Sequence, residues 1–399
     1  MKRILFASAA TALMAAAGTT GATAEPVNLG IILGFTGPLE SITPAMANSA
    51  EVAMKEASDS GKLPGGITLN PVRADSTCID SALATTAAQQ LVSTQNVAAI
   101  VGADCSGVTV AIANNVAIPA GVVMVSPSAT SPALTTIEDN GFFFRTAPSD
   151  ARQGEVLAAL VKEKGIEEVA VTFTNNDYGK GLADSFTQAF EAAGGKVAIS
   201  AAHEDGKADY SAEVAALQAS GAQTLMVFGY VDQGGVGIVQ ASLDSGAFES
   251  FYFADGMYGQ SLIDKIGPEI NGKVVGTLPG VEGEAADRFA AYAKENGMDP
   301  TGTYVPESYD AGALIALSIA ASGSADRTGI RAKLMDVANA PGEKIYAGEL
   351  AKGIELAAAG TDIDYVGATG VELVGPGEAA GSYRVFDIED DAPHTIGFR

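Results

Sequence analysis

From Val27 onward, short runs of consecutive apolar residues alternate with longer stretches in which apolar positions recur every three or four residues. The continuous runs predict strands covered on both faces, and the helical spacing predicts the elements that cover them. Strands are expected at residues 27–33, 68–73, 97–102 and 122–126, with helices at 44–60, 79–94 and 106–117 between them. Thr43 before Pro44 reads as an N-cap with proline at the first helical position, and Gly61 lies just past the last turn.

After Arg145 the alternation restarts, with strands at 169–174, 197–200, 224–229 and 251–254 and helices at 181–193, 210–219 and 234–245. A third block is less regular: a strand at 273–277, helices at 284–296, 308–321 and 328–338, and β-like pieces at 371–374 and 383–388. Strands alternating with helices of roughly 10 to 15 residues mean parallel sheets with crossover helices. The fold class is therefore α/β, two doubly wound parallel-sheet lobes. The late helices are expected to return to the first lobe and the tail to cross again to the second, while 341–370 is the stretch whose pattern defines least.

Ahead of this, Met1-Lys2-Arg3, the apolar stretch 4–17 and Ala22-Thr23-Ala24 before Glu25 have the form of a secretory signal peptide spanning 1–24. The apolar stretch is too short for a bilayer span of about 20 residues. Cleavage between Ala24 and Glu25 delivers the chain to the periplasm and leaves 375 of 399 residues, enough for two domains. No cysteine follows the apolar stretch, so no lipid anchor is expected. Losing Lys2 and Arg3 moves the formal net charge from −25 to −27, which argues against nucleic acid and anionic lipid as partners. Cys78 and Cys105 are the two cysteines, and in an oxidising compartment they are expected to pair. With only His203 and His394 as further soft ligands and no C-x-x-C, neither a metal site nor a cofactor is expected.

In open parallel sheets ligands sit beyond the carboxyl ends of strands, which singles out the loops that follow them. Six carry polar or glycine-rich chemistry. Gly34 to Leu39 is either a close-approach turn or an ordinary tight one. Gly102 to Gly107 ends a strand and opens a helix, so free N–H groups and the Ser106 hydroxyl could meet a carboxylate, or Ser106 is a plain cap. Ser126-Pro127-Ser128-Ala129-Thr130-Ser131-Pro132 is dense in hydroxyls, with prolines that make carbonyls and hydroxyls converge, or is simply a polar loop. In the second block 175–179, 229–232 and 254–258 follow strands in the same way. Tyr178 and Tyr230 could wall a pocket and Asp255 could pair with an ammonium, although each alone reads as a surface-loop residue.

These residues resemble the periplasmic leucine/isoleucine/valine-type binding proteins, of type I fold, that serve branched-chain amino acid ABC importers. The resemblance runs over nearly the whole mature chain and is carried by Thr36-Gly37-Pro38, Cys78 with Cys105-Ser106, the 126–132 loop, Asn176-Asp177-Tyr178-Gly179, and Tyr304 through Tyr309-Asp310-Ala311. It implies a first-lobe disulfide between Cys78 and Cys105. It also implies that Ser106, Ser128 and Thr130 hold a ligand's carboxylate and amino groups, and that Tyr178, Tyr230 and Asp255 face them from the second lobe. Three crossings follow, near 145–148, 276–280 and 357–362, giving a first lobe of 25–145 with 280–357 and a second of 146–279 with 358–399. Two departures leave side-chain specificity open: Leu39-Glu40-Ser41-Ile42 stands where some members have an aromatic residue, and Asp255 where close amino-acid binders often have Glu.

The expected function is capture of a small amino acid, branched-chain or similar, by a monomer that docks on membrane permease subunits of an ABC importer. Alternatives are an amide, urea or aromatic acid in the same fold, or an extracytoplasmic sensor. An enzyme is not expected. No P-loop, G-x-S-x-G, H-E-x-x-H or complete G-x-G-x-x-G is present, and Gly235-Val236-Gly237 lacks the third glycine.

Overall fold

The computed structural model describes residues 26–399, so the expected signal peptide lies outside the described residues. The first sheet is built from β1 (Val27–Leu33), β2 (Leu69–Asp75), β3 (Ala99–Gly102), β4 (Val123–Ser126) and β5 (Phe143–Arg145), parallel throughout in the order β5-β4-β3-β1-β2. The second repeats the plan with β6 (Glu168–Thr174), β7 (Lys196–His203), β8 (Thr224–Phe228), β9 (Ser250–Phe253) and β10 (Val274–Pro279), in the order β10-β9-β8-β6-β7. Every residue of β3, β4 and β8 is buried, because helices cover both faces of each sheet.

Local chemistry sets the helix starts. Asp80 caps Ser81–Ser93, Ser149 caps Asp150–Glu163, and Asn176 accepts from Gly179 N at 3.0 Å to cap Asp177–Ala192. Thr43 is not a cap. The helix Thr43–Asp59 already includes it, and its hydroxyl donates to the Gly34 carbonyl at 2.9 Å, tying the helix to the turn after β1.

The third block mostly rejoins the first lobe. Residues 307–320 of the helix Val305–Ser322 are buried, and this helix lies on Thr43–Asp59 so closely that a Cβ on Gly312 would come 2.9 Å from the Ala50 carbonyl. Buried Asp310 accepts from Tyr365 Oη, Ala368 N and both donors of Thr369, which fixes β12 (Ile363–Gly367) against β11 (Glu343–Tyr346) in that lobe. β13 (Leu373–Val374) and β14 (Glu378–Ala379) then extend the first sheet beside β5. The expected third crossing at 357–362 is thus displaced, and 358–379 belong to the first lobe. The chain leaves at 380–382 for β15 (Tyr383–Glu389), which with β16 (Ala392–Phe398) closes the second sheet antiparallel. Among the described residues no helix is long and apolar enough to cross a membrane.

The three passages, 146–149, 280–283 and 380–382, lie side by side. Gly280 N donates to Ser382 O at 3.1 Å, Ser382 Oγ to Gly280 O at 3.0 Å, and Tyr383 Oη to Ser149 O at 3.3 Å.

The cysteines form a disulfide across 27 residues of sequence, joining the loop after β2 to the start of the helix Ser106–Ile112. Closing a loop of that length restricts the unfolded chain by roughly 3 to 4 kcal/mol. Urea unfolding of the Cys78→Ser/Cys105→Ser protein is expected to show a loss of about 3 kcal/mol against wild type.

Candidate functional site

Where the lobes meet, the loops after β1, β3, β4, β8 and β9 and the starts of the helices Asp177–Ala192 and Val305–Ser322 enclose a cavity of about 10 Å³, roughly the room of one water. Leu39, Ile42, Asp104, Cys105, Ser106 and Ser128 line it from the first lobe. Tyr178, Tyr230, Asp255 and Gly256 line it from the second, and Tyr304 leads into the helix Val305–Ser322. A roomier cavity, about 740 Å³, lies instead on the outside of the second lobe between Ser211–Gln218 and Gly234–Ser245. We place the site at the smaller one, because the buried polar groups converge there.

The first-lobe wall is held by short hydrogen bonds. Ser106 Oγ accepts from Ser131 N at 3.1 Å, and Ser128 Oγ donates to Asp104 O at 3.1 Å. The expected convergence of carbonyls in the 126–132 loop occurs, but on a cation. Buried Arg145 donates to Ala129 O and Ser131 O, each at 3.0 Å, to Thr135 Oγ1 at 2.8 Å, and to Glu378. Thr130 does not line the cavity; its carbonyl accepts from Asp150 N at 2.8 Å, and its hydroxyl is buried without a partner.

Asp104 is buried beside the disulfide, where its carboxylate accepts from Gly34 N at 3.0 Å and Ser76 Oγ at 2.9 Å. Burial raises its pKa despite these donors. Cys78, Asp104 and Cys105 bring three potential metal donors together, but the two sulfurs are bonded to each other.

In the second lobe Tyr178 stacks on Tyr230 with ring centroids 5.2 Å apart, and Asn176 Nδ2 donates to Tyr230 Oη at 3.2 Å. Asp255 is 3% exposed and receives Tyr304 Oη at 2.7 Å and, more distantly, Tyr178 Oη at 3.4 Å. Burial pushes its carboxyl up, and the tyrosine donors pull it back. A Cβ on Gly256 would come 2.6 Å from the Gly229 carbonyl, so only glycine lets these loops approach. Tyr304 sits at φ 56°, in the left-handed region where a bulky residue is strained.

The Gly37-Pro38 turn meets the other lobe rather than the cavity. Pro38 O accepts from Asp232 N at 3.1 Å, and the Asp232 carboxylate accepts from Ser41 N at 2.9 Å and Ser261 Oγ at 2.7 Å. Five of the six residues expected from the sequence, Ser106, Ser128, Tyr178, Tyr230 and Asp255, come together around one cavity. Sequence reasoning missed the roles of Asp104, Tyr304, Asp150 and Arg145. Asp104 and Tyr304 stood inside quoted motifs, whereas Asp150 and Arg145 carried no local signal.

Two α/β lobes closed over a buried polar cavity define a bilobal solute-binding protein. The chain belongs to the periplasmic binding protein family, whose model matches residues 26–349, and it is a binding protein and not an enzyme. It is 29% identical over 306 residues to the leucine-, isoleucine-, valine-, threonine- and alanine-binding protein of Pseudomonas aeruginosa, covering 76% of this chain and 80% of that one. Among solved structures it is similar to a leucine-binding protein from Thermotoga maritima, with TM-score 0.77 and 22% identity over 93% of this chain and 98% of that one. It is also similar to a Rhodopseudomonas palustris solute-binding protein in complex with 4-hydroxybenzoate, with TM-score 0.74 and 19% identity over 94% and 97%.

Glu307 lies buried beside the passages, its carbonyl accepting from Thr146 Oγ1 at 2.8 Å, and burial raises its carboxyl to about 8. Between about pH 4.5 and 8 the unfolded chain has released this proton and the folded one has not, so its contribution to stability falls as pH rises and levels off above 8. Urea unfolding at pH 5, 6.5 and 8 is expected to give Glu307→Gln a stability loss across the range smaller than wild type's by about 2 kcal/mol or more. Equal losses would show that the carboxyl ionises normally.

Proposed function

We propose that this chain is the periplasmic capture subunit of an ABC importer and that its ligand is a small α-amino acid, held between the lobes by its two charged ends. Asp255 carries the reading. It is a buried carboxylate at the cavity, facing Ser106 and Ser128 across it. A buried carboxylate is stable there when a cation meets it, which suits an ammonium and disfavours a ligand whose only charge is negative. Ser106, at the start of a helix, offers a hydroxyl and N–H groups suited to the ligand's carboxylate, with Ser128 beside it. Thr130 approaches the ammonium from behind the wall, and Tyr178 and Tyr230 close over the ligand. The amino acids named for the Pseudomonas relative mark the class to test first. The protein acts as a monomer that opens about its three passages, closes on the ligand, and presents the closed form to the permease subunits.

An aromatic acid is the second reading. It is favoured by the three tyrosines at the cavity and by the structural neighbour that holds 4-hydroxybenzoate.

A thermal-shift screen of the mature protein against the proteinogenic amino acids, short amides, urea and aromatic acids separates the two, since a ligand of the native state raises stability by RT ln(1 + [L]/Kd). Amino acids are expected to give the large shifts, and Asp255→Ala is expected to weaken the best of them by roughly 10- to 100-fold with the fold intact. Shifts with aromatic acids alone would overturn the amino-acid reading.

A further inference from the structure

Below the cavity lies a group of acceptors with nothing to accept. Asp150 opens the helix Asp150–Glu163 at the first passage and is fully buried, and neither of its carboxylate oxygens has a hydrogen-bond partner. Its backbone N–H, bound to Thr130 O at 2.8 Å, anchors it to the first-lobe loop. Thr130 Oγ1 and Gln153 Oε1 are likewise buried and unpartnered, and the Gln153 amide nitrogen is committed to Thr277 O and Oγ1 at 3.1 and 3.2 Å. Asp255 stands close enough for its charge to disfavour ionisation of Asp150; its own oxygens accept from the two tyrosine hydroxyls, and the Gln153 side chain lies near enough to favour its ionised form. Two buried carboxylates, a hydroxyl and an amide oxygen therefore share one region short of N–H donors, and such a group is costly unless a cation completes it.

A primary ammonium carries three N–H donors and a positive charge. We propose that Asp150 is a second carboxylate of the ammonium subsite, acting with Asp255 and Thr130, so that the protein selects primary-amine ligands over N-alkylated, quaternary and hydroxyl analogues. This rests on the amino-acid reading above. An N-methyl group would take one donor and place carbon against a carboxylate, and an α-hydroxy acid would leave both carboxylates without a cation.

A consequence is proton release. The groups facing Asp150 are Asp255, Arg145 and the hydroxyls of Tyr178, Tyr304 and Tyr383. Burial first, and the Asp255 charge second, favour the protonated Asp150 carboxyl, and Arg145 opposes this only partly. The two acids titrate as a pair. Without ligand, burial and the mutual repulsion of the pair favour retention of a proton; when the ammonium enters, both carboxylates ionise and the proton leaves to solvent. Affinity therefore rises with pH until the pair is ionised in the free protein.

Isothermal titration calorimetry of the full mature protein tests this, with L-leucine, L-isoleucine, L-valine, L-threonine, L-alanine and glycine, and with the N-methyl and 2-hydroxy analogues of the best binder. Titrations in phosphate and in Tris between pH 6 and 8.5 count the protons exchanged. Wild type is expected to bind the amino acid tenfold or more tighter than either analogue, to release a substantial fraction of a proton at pH 7, and to tighten as pH rises. Asp150→Asn is expected to lose at least tenfold in affinity and most of the proton release, while its ligand-free melting temperature holds or rises. Wild-type binding with no proton exchanged and a flat pH profile would overturn the proposal without recourse to any variant. So would wild-type affinity and proton count in Asp150→Asn while Asp255→Asn fails to bind. If wild type binds aromatic acids and no amino acid, the amino-acid reading falls as well, and that result comes before any variant is made.

Discussion

Carboxylates buried where two lobes meet need donors, and the supply of those donors organises this molecule. Asp104, Asp150, Asp255 and Glu307 are all buried near the cavity or the passages, and Arg145 is the buried arginine among the described residues, with no lysine buried beside it. Each acid has a different solution. Asp104 takes the backbone of the turn after β1 and a serine, Asp255 takes tyrosine hydroxyls, and Glu307 is held protonated by burial. Asp150 has no well-formed hydrogen bond on its oxygens, only the nearby Thr130 hydroxyl, and no full countercharge. Arg145 is already engaged with two carbonyls, a threonine and Glu378, so its charge shapes the 126–132 loop more than it relieves Asp150.

Under the proposed function, that accounting couples closure to binding. Apolar side chains form a single cluster that runs from Leu39, Cys78 and Cys105 in the first lobe through Tyr178 and Tyr230 into the core of the second. Closing the lobes buries this surface, and the Asp232 carboxylate, 6% exposed, bonds across the mouth to Ser41 N and within its own lobe to Ser261 Oγ. Both effects favour the closed form. The acids opposing each other beneath the cavity disfavour it, and a cationic ligand removes the opposition. A ligand shifts such an equilibrium only by the difference in its affinity for the two forms. Here that difference is concentrated at the carboxylates.

The sequence made the repeated strand-helix alternation plain because parallel strands covered on both faces are uninterrupted apolar runs, and the ligand-facing loops follow from that alternation alone. Position after a strand marks the loops that hold Ser106, Ser128, Tyr178, Tyr230 and Asp255, but it is side-chain chemistry together with the family resemblance that singles these residues out within them. The method fails where placement depends on distant partners. β13 and β14 are two residues each and join the first sheet only through pairing with β5, more than 230 residues earlier, so no local pattern announces them. Segment 358–379 was assigned to the wrong lobe for that reason, since its anchor is the side chain of Asp310 on a remote helix. Asp150 was invisible in the same way. In sequence it is an acidic residue in the first turn of a helix, a common and usually exposed arrangement, and only the neighbouring loop and Asp255 bury it.

The aspartate at 255 and the tyrosine at 304 are best understood together. An aspartate is one methylene shorter than the glutamate often found at this position, and the Tyr304 hydroxyl reaches it directly, from a backbone conformation that a bulky residue adopts only under constraint. Under the proposed function the shorter acid sets the ammonium subsite back toward the second-lobe sheet, and Tyr304 takes up space at the cavity. The two departures from the family pattern, Asp255 and Leu39-Glu40-Ser41-Ile42, lie on opposite walls of the one cavity, so under the proposed function the choice among side chains falls to Leu39, Ile42 and the stacked pair Tyr178 and Tyr230.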